Sequence, residues 1–86
     1  MGSYKLSFKK SVEKDLRRID RKEIPKILSA VEMLQEDPFP HGSRKLVGSD
    51  NTYRIRIGDY RAIYFVAQDI REVVVQRIAH RKDVYE

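Results

Sequence analysis

Apolar and polar side chains alternate from Tyr4 to Phe8, with Tyr4, Leu6 and Phe8 set against Lys5 and Ser7. A period of two predicts a half-buried strand. From Ser11 to Ile19 the period lengthens, and Val12, Leu16 and Ile19 recur at i, i+4 and i+7, one apolar stripe of a helix. Asp20, followed three residues on by Glu23, resembles a capping arrangement, and Pro25 suits a first helical turn. Ile24, Ile27, Leu28, Val31 and Leu34 form a second stripe, which predicts a helix running to about Glu36. So short a link between two helices predicts an antiparallel hairpin.

Asp37-Pro38-Phe39-Pro40-His41-Gly42 reads as a loop, and Arg44 to Val47 is placed to open the next strand. Tyr53 to Ile57 alternates as a strand, Gly58-Asp59 carries a two-residue hairpin signal, and Tyr60 to Val66 returns. Ala67-Gln68-Asp69 turns the chain once more, and the β-branched run within Arg71 to Ile78 suits a buried strand. A short polar tail from His80 to Glu86 closes with Val84 and Tyr85. The order predicts an α+β fold: an N-terminal strand and an antiparallel helical hairpin packed on one face of a twisted, mainly antiparallel four-stranded sheet. Residues 1–86 make one domain.

The hairpin signal fixes a register. With the turn at Gly58-Asp59, Ile57 faces Tyr60, Arg56 faces Arg61, Ile55 faces Ala62 and Arg54 faces Ile63. Tyr53, Ile55, Ile57, Tyr60, Ala62, Tyr64 and Val66 then share one face, the seat for the helices. Arg54, Arg56 and Arg61 share the other with Ile63 and Phe65. Like charges directly opposed across a sheet destabilise it by a few tenths to about 1 kcal/mol. A phosphate would resolve the conflict, since the planar guanidinium matches phosphate oxygens bidentately. Arg77 and Arg81 fall in equal phase with each other and extend the same basic surface. A merely solvated strand face, with its arginines splayed into water, explains the spacing about as well.

The charge balance agrees with an anionic partner: the formal net charge is +5 and the sequence pI is near 9.6. The chain has no cysteine, which excludes disulfides and thiolate metal sites. Its histidines are His41 and His80, and neither they nor the carboxylates fall at metal-ligand or catalytic-motif spacing. No cofactor is expected. No apolar run approaches the length that spans a bilayer and no signal-peptide pattern precedes Tyr4, so a cytoplasmic protein without a membrane partner is expected. Any reaction must therefore rest on cations, with a tyrosine or His80 to move protons, which narrows the chemistry to charge stabilisation at phosphate.

Together, the stretches "RKLVGSDNTYRIRIGDYRAIYFV" and "VVVQRIAHRKDVY" behind an opening strand and helix pair resemble the RelE/ParE superfamily of toxins, and more closely its RelE-like messenger-RNA endonucleases. The likeness spans nearly the whole chain, carried by the basic alternating strand, "GDYR" with an apolar continuation, and "HRKDVY". The resemblance implies a type II toxin–antitoxin toxin that inhibits translation by cleaving mRNA in the ribosomal A site. A 2′-hydroxyl attacks its neighbouring phosphate, leaving a cyclic phosphate and a free 5′-hydroxyl. Matched residue by residue, the family's site falls on Arg54 and Arg56, then Arg61, Arg81 and Tyr85. Lysine is usual at the first two positions, and arginine here keeps the charge but cannot readily donate a proton.

The same likeness implies that Arg61 and Arg81 stabilise the charge developing at phosphorus, that Arg54 and Arg56 hold the flanking phosphate, and that Tyr85 takes the 2′-hydroxyl proton or stacks on a base. His80 is an alternative base, because imidazole exchanges protons readily near neutral pH, although strand alternation puts it out of phase with Arg81. Arg44, Lys45 and Arg77 are candidate RNA contacts. A cognate antitoxin, assembled with the toxin in a higher-order hetero-oligomer, is the implied protein partner, beside the ribosome and its mRNA. Two other functions stay open: a ParE-like inhibitor of DNA gyrase and a small RNA-binding module without catalysis.

Overall fold

In the computed structural model, which describes residues 3–84, five strands form one sheet in the order β1-β5-β4-β3-β2. They are β1 (Lys5–Phe8), β2 (Arg44–Lys45), β3 (Thr52–Ile57), β4 (Tyr60–Ala67) and β5 (Glu72–His80). Two α-helices, α1 (Ser11–Arg17) and α2 (Ile24–Glu32), lie between β1 and β2. The expected sheet had four strands. The fifth is β1, which joins the sheet beside β5, while β2, only two residues long, adds to the free edge of β3 by pairing Arg44 with Arg54 and Lys45 with Tyr53. Among the described residues no helix is long and apolar enough to cross a membrane.

Both helices are shorter than their apolar stripes suggest. Asp20 does cap, but it accepts from Lys22 N at 3.2 Å to start a single 3₁₀ turn, Arg21–Glu23, that leads into α2. Another 3₁₀ turn, Met33–Gln35, continues α2 and keeps Leu34 in the core. The stripe residues Val12, Ile19, Ile27, Val31 and Leu34 meet Ile55, Ile57, Ala62, Tyr64, Val66, Val73, Val75 and Ile78 from one face of the sheet. This is the face that alternation assigned to the helices.

The central place of β5 follows from its valines. Val73 and Val75 are fully buried, flanked by β4 on one side and by β1, which pairs in parallel, on the other. A register shift beside Ile63 and Tyr64 leaves Gln76 without a partner on β4, so Val75 and Ile78 both reach the core despite their odd spacing. Beyond Val75 the outer edge of β5 has no strand neighbour among the described residues, and the Asp15 carboxylate accepts from the edge amide of Ile78 at 3.0 Å.

Tyr64 anchors the proline-rich loop beneath the sheet. Its hydroxyl donates to the Pro38 carbonyl at 2.8 Å, and burial pushes its pKa up to about 12. Phe39 packs edge-on against Tyr53 with ring centres 4.9 Å apart, and Tyr53 in turn stacks on Tyr64. The loop leading to β2 is thereby held in a fixed position.

Candidate active site

The hairpin of β3 and β4 closes as its sequence requires. Gly58 has φ of 61° while Asp59 stays at negative φ, the II′ pattern that demands glycine at the first turn position. Pairing proceeds from Ile57 with Tyr60 to Arg56 with Arg61, Ile55 with Ala62 and Arg54 with Ile63. Across β2, Arg44 faces Arg54, so one face of three adjacent strands carries Arg44, Arg54, Arg56 and Arg61. Their cross-strand neighbours along these ladders are each other, Ile63 or Ala79; none is a carboxylate.

These arginines are not all splayed into water, as a solvated face would have them. Arg54 is only 1% exposed and Arg61 9%, whereas Arg44 and Arg56 are exposed. Arg61 folds back over the turn, and its Nη1 donates to the Tyr60 carbonyl at 3.2 Å and the Gly58 carbonyl at 3.5 Å. Burying a guanidinium is costly unless it is compensated by hydrogen bonds or opposite charge. The sheet thus keeps two arginines at depth beside two exposed ones on the same face.

Arg81 arrives at the same turn from the other end of the chain. Its backbone N–H donates to the Asp59 carbonyl at 2.7 Å, and its Nε lies 3.8 Å from the Asp59 carboxylate. Both side chains are about two-thirds exposed. An ion pair that open is worth about 0.2–1 kcal/mol and is readily exchanged. Arg81 opens a 3₁₀ turn, Arg81–Asp83, after β5, so it is released from strand geometry just where it meets the turn. Arg77 lies on the arginine face opposite Ile63, with its Nη2 donating to the Asp83 carbonyl at 2.7 Å.

The remaining candidates separate. Lys45 pairs with Tyr53, which sets it on the opposite face from Arg44, so only one of the two extends the arginine row. His80 pairs with Tyr60 on the helix side, its ring edge-on to that of Tyr60 at 5.4 Å, and its Nδ1 accepts from Lys82 N at 3.3 Å. Alternation thus sets it on the opposite face from Arg54, Arg56 and Arg61, although it lines one cavity with Arg18 and Arg77. Tyr85 lies outside the described residues; the chain before it is anchored by Val84, 7% exposed. Sequence reading missed Lys26 of α2, whose Nζ lies 3.0 Å from where a side chain on Gly58 would begin, and Asp59 as the partner of Arg81. Lys26 reaches the turn only through tertiary packing, and Asp59, though read as a turn residue, meets Arg81 only once β5 brings it there, so neither contact has a local signal.

With this geometry in hand, the likeness to known proteins is informative. The model of the family described as ParE toxin of type II toxin–antitoxin system, parDE, matches residues 6–85. Toxin RelE3 of Methanocaldococcus jannaschii is 31% identical over 86 residues, spanning 95% of this chain and 96% of its own length. Among solved structures, the archaeal RelE–RelB complex of Pyrococcus horikoshii OT3 contains a chain 26% identical, with a TM-score of 0.81 over 95% of this chain and 99% of that one. The RelB–RelE antitoxin–toxin complex of Methanococcus jannaschii contains one 30% identical, with a TM-score of 0.73 over 91% and 93%.

Proposed function

We propose, since this chain belongs to the ParE toxin family of type II toxin–antitoxin systems, that it is a toxin of the RelE kind: a ribosome-dependent endoribonuclease cleaving mRNA in the A site. The reading rests on one observation: Arg56 opposes Arg61 across β3 and β4, with Arg81 docked on the turn that joins them. In the reaction the 2′-oxygen bonds to phosphorus as the bond from phosphorus to the 5′-oxygen breaks. The 2′-hydroxyl loses its proton, the departing oxygen gains one, and negative charge accumulates on the two non-bridging oxygens. Arg61 and Arg81 flank that charge, and cations held in place before the reaction stabilise it without reorganising. Displacing Asp59 from Arg81 costs little, so an incoming phosphate takes its place. Arg56, exposed, grips the flanking phosphate, and Arg54 reinforces it as a fixed charge from below. Tyr85 receives the 2′-proton.

The protein partner is an antitoxin: the similar chains from Pyrococcus and Methanococcus are solved with RelB. An acidic, amphipathic segment would supply counter-charge to the arginine track. A second reading, a ParE-like gyrase inhibitor, is favoured by the description of the matching family. Purified protein added to ribosomes paused on a defined message, and separately to a gyrase supercoiling reaction, distinguishes them. A-site cleavage that Arg61→Ala and Arg81→Ala abolish, with melting temperatures showing both variants folded, supports the nuclease. Poisoned gyrase with intact message overturns it in favour of the second.

A further inference from the structure

After β1 the chain comes back to the sheet edge it has just left. Pairing of β1 ends where Lys9 N donates to the Val75 carbonyl at 2.9 Å, and the backbone then turns directly into α1. One helical turn later Asp15 sends its carboxylate back to the same edge of β5 and accepts from Ile78 N at 3.0 Å. A side chain thus carries on the ladder that the strand abandons. By local rules the position is a poor one for aspartate. The residue is a weak helix former, and a carboxylate in the last turn of α1 meets the negative end of the helix dipole. A residue set against local preference marks a requirement imposed elsewhere in the fold.

That requirement lies in the stretch after Ile78, which contains Arg81. Ile78 and Val84 are buried, but no residue between them is. The stretch borders a cavity of about 560 Å³, walled on the helical side by Asp15, Arg18 and Ile19, so side-chain packing gives it little support. Two of its hydrogen bonds only close it on itself: Lys82 N on the His80 ring, and Arg77 on the Asp83 carbonyl. Two others tie it to the rest of the molecule. Arg81 N donates to the Asp59 carbonyl at 2.7 Å, and Ile78 N donates to Asp15. Between these ties run three residue steps of nearly extended chain, about 10 Å. Such a segment transmits a displacement of one end to the other.

We infer that Asp15 is a positioning residue for Arg81: it clamps the unpaired end of β5 to α1 and so fixes where the Arg81 guanidinium stands beside the Gly58-Asp59 turn. The side-chain pair between Arg81 and Asp59, at 3.8 Å and open to water, is too weak to hold that place by itself. Asp15 makes and breaks no bond in the reaction, and its carboxylate is engaged by a backbone amide. Its consequence for cleavage rests on the nuclease reading, in which Arg81 meets the charge developing at phosphorus. A cation displaced by about 1 Å loses much of its effect on that charge, so Asp15 acts on kcat and leaves substrate binding alone.

Hydrogen exchange on the native full chain tests the clamp without any substitution. The Ile78 amide should exchange roughly a hundredfold or more slowly than in the unfolded chain, and exchange at the unfolded rate overturns the inference. Two variants then separate the acceptor from the fold: Asp15→Asn keeps a side-chain oxygen in place, and Asp15→Ala removes it. In spectra of the arginine Nε–H groups, the Arg81 signal should move in Asp15→Ala and stay in Asp15→Asn, with Arg61 unmoved in both. On programmed ribosomes, well below both melting temperatures, Asp15→Ala should lower kcat about tenfold with KM within about twofold. Asp15→Asn should keep kcat within about threefold. An unmoved Arg81 signal in Asp15→Ala, or a kcat loss shared equally by Asp15→Asn, overturns the positioning role even where cleavage proceeds. An Arg81 signal that moves as expected in a chain that cleaves no message upholds the positioning role and removes the nuclease reading.

Discussion

Replacing Arg56 with glutamine should stabilise the domain while loosening its hold on RNA. The two-residue turn makes Ile57 and Tyr60 the hydrogen-bonded closing pair. Arg56 and Arg61 are therefore a non-hydrogen-bonded pair, whose Cα atoms stand about 4.5 Å apart. Two unit charges about 7 Å apart repel by about 0.6 kcal/mol at the permittivity of water and by about 2.4 kcal/mol at an effective value of 20. Arg56 is exposed and Arg61 is 9% exposed, which puts the pair between these limits. Measured like-charge pairs across sheets cost a few tenths to about 1 kcal/mol. In a domain of this size that is a rise in Tm of about 1–8 °C. Thermal melts of the native chain, Arg56→Gln and Arg56→Lys at low salt provide the comparison. Glutamine should raise Tm and lysine should not. At about 1 M salt, where screening acts within roughly 3 Å, the gain should largely vanish. On ribosomes Arg56→Gln should chiefly raise KM, as removal of uniform binding does. A glutamine variant no more stable than the native chain at low salt, or one whose gain ignores salt, refutes the claim that the face is electrostatically strained.

Two further substitutions probe the frame around the site. Tyr64→Phe removes the hydroxyl that donates to the Pro38 carbonyl and should cost about 1–2 kcal/mol at neutral pH. The native Tyr64 pKa is raised from its ordinary value near 10 to about 12, chiefly by burial. Unfolded chains therefore ionise first: the contribution is full below pH 10 and is lost as pH rises from 10 through about 12. Urea midpoints followed across that window should fall more steeply for the native chain than for the variant, and equal slopes would contradict the assignment. Gly58→Ala forces a side chain onto φ of 61° against Lys26 and should cost about 1–3 kcal/mol, read as a lower Tm together with a lower kcat.

The hairpin was legible because its information is local. A glycine at a two-residue turn fixes pairing, and pairing fixes which side chains share a face, so the Arg56–Arg61 opposition follows from a few adjacent letters. The helix face of the sheet was legible for the same reason. Depth was not: whether Arg54 lies in water or 1% exposed depends on what covers it, and alternation assigns a face without saying how that face is covered. The parallel pairing of β1 with β5 has no local signature either, since it joins the two ends of the chain. Equally hidden was the bulge at Gln76, which lets Val75 and Ile78 share the core while the regular strand pattern would send them to opposite faces. The strand expected to open at Arg44 is present, but only as the two residues Arg44–Lys45.

What the fold adds to the sequence is convergence at the Gly58-Asp59 turn. The carbonyls of Gly58 and Tyr60 hold Arg61, the carbonyl and carboxylate of Asp59 hold Arg81, and α2 brings Lys26 Nζ within 3.0 Å of the vacant side-chain position on Gly58. The backbone carbonyls of Gly58 and Tyr60 orient the Arg61 guanidinium over the turn. Asp59 does neutralise, but at 3.8 Å and two-thirds exposed it binds Arg81 too weakly to compete with a doubly coordinated phosphate. Arg61, oriented by the backbone, and Arg81, loosely screened by a carboxylate, thus meet at one turn. A surface designed only for solubility would place glutamate across from arginine and gain stability by it. This sheet places arginine there.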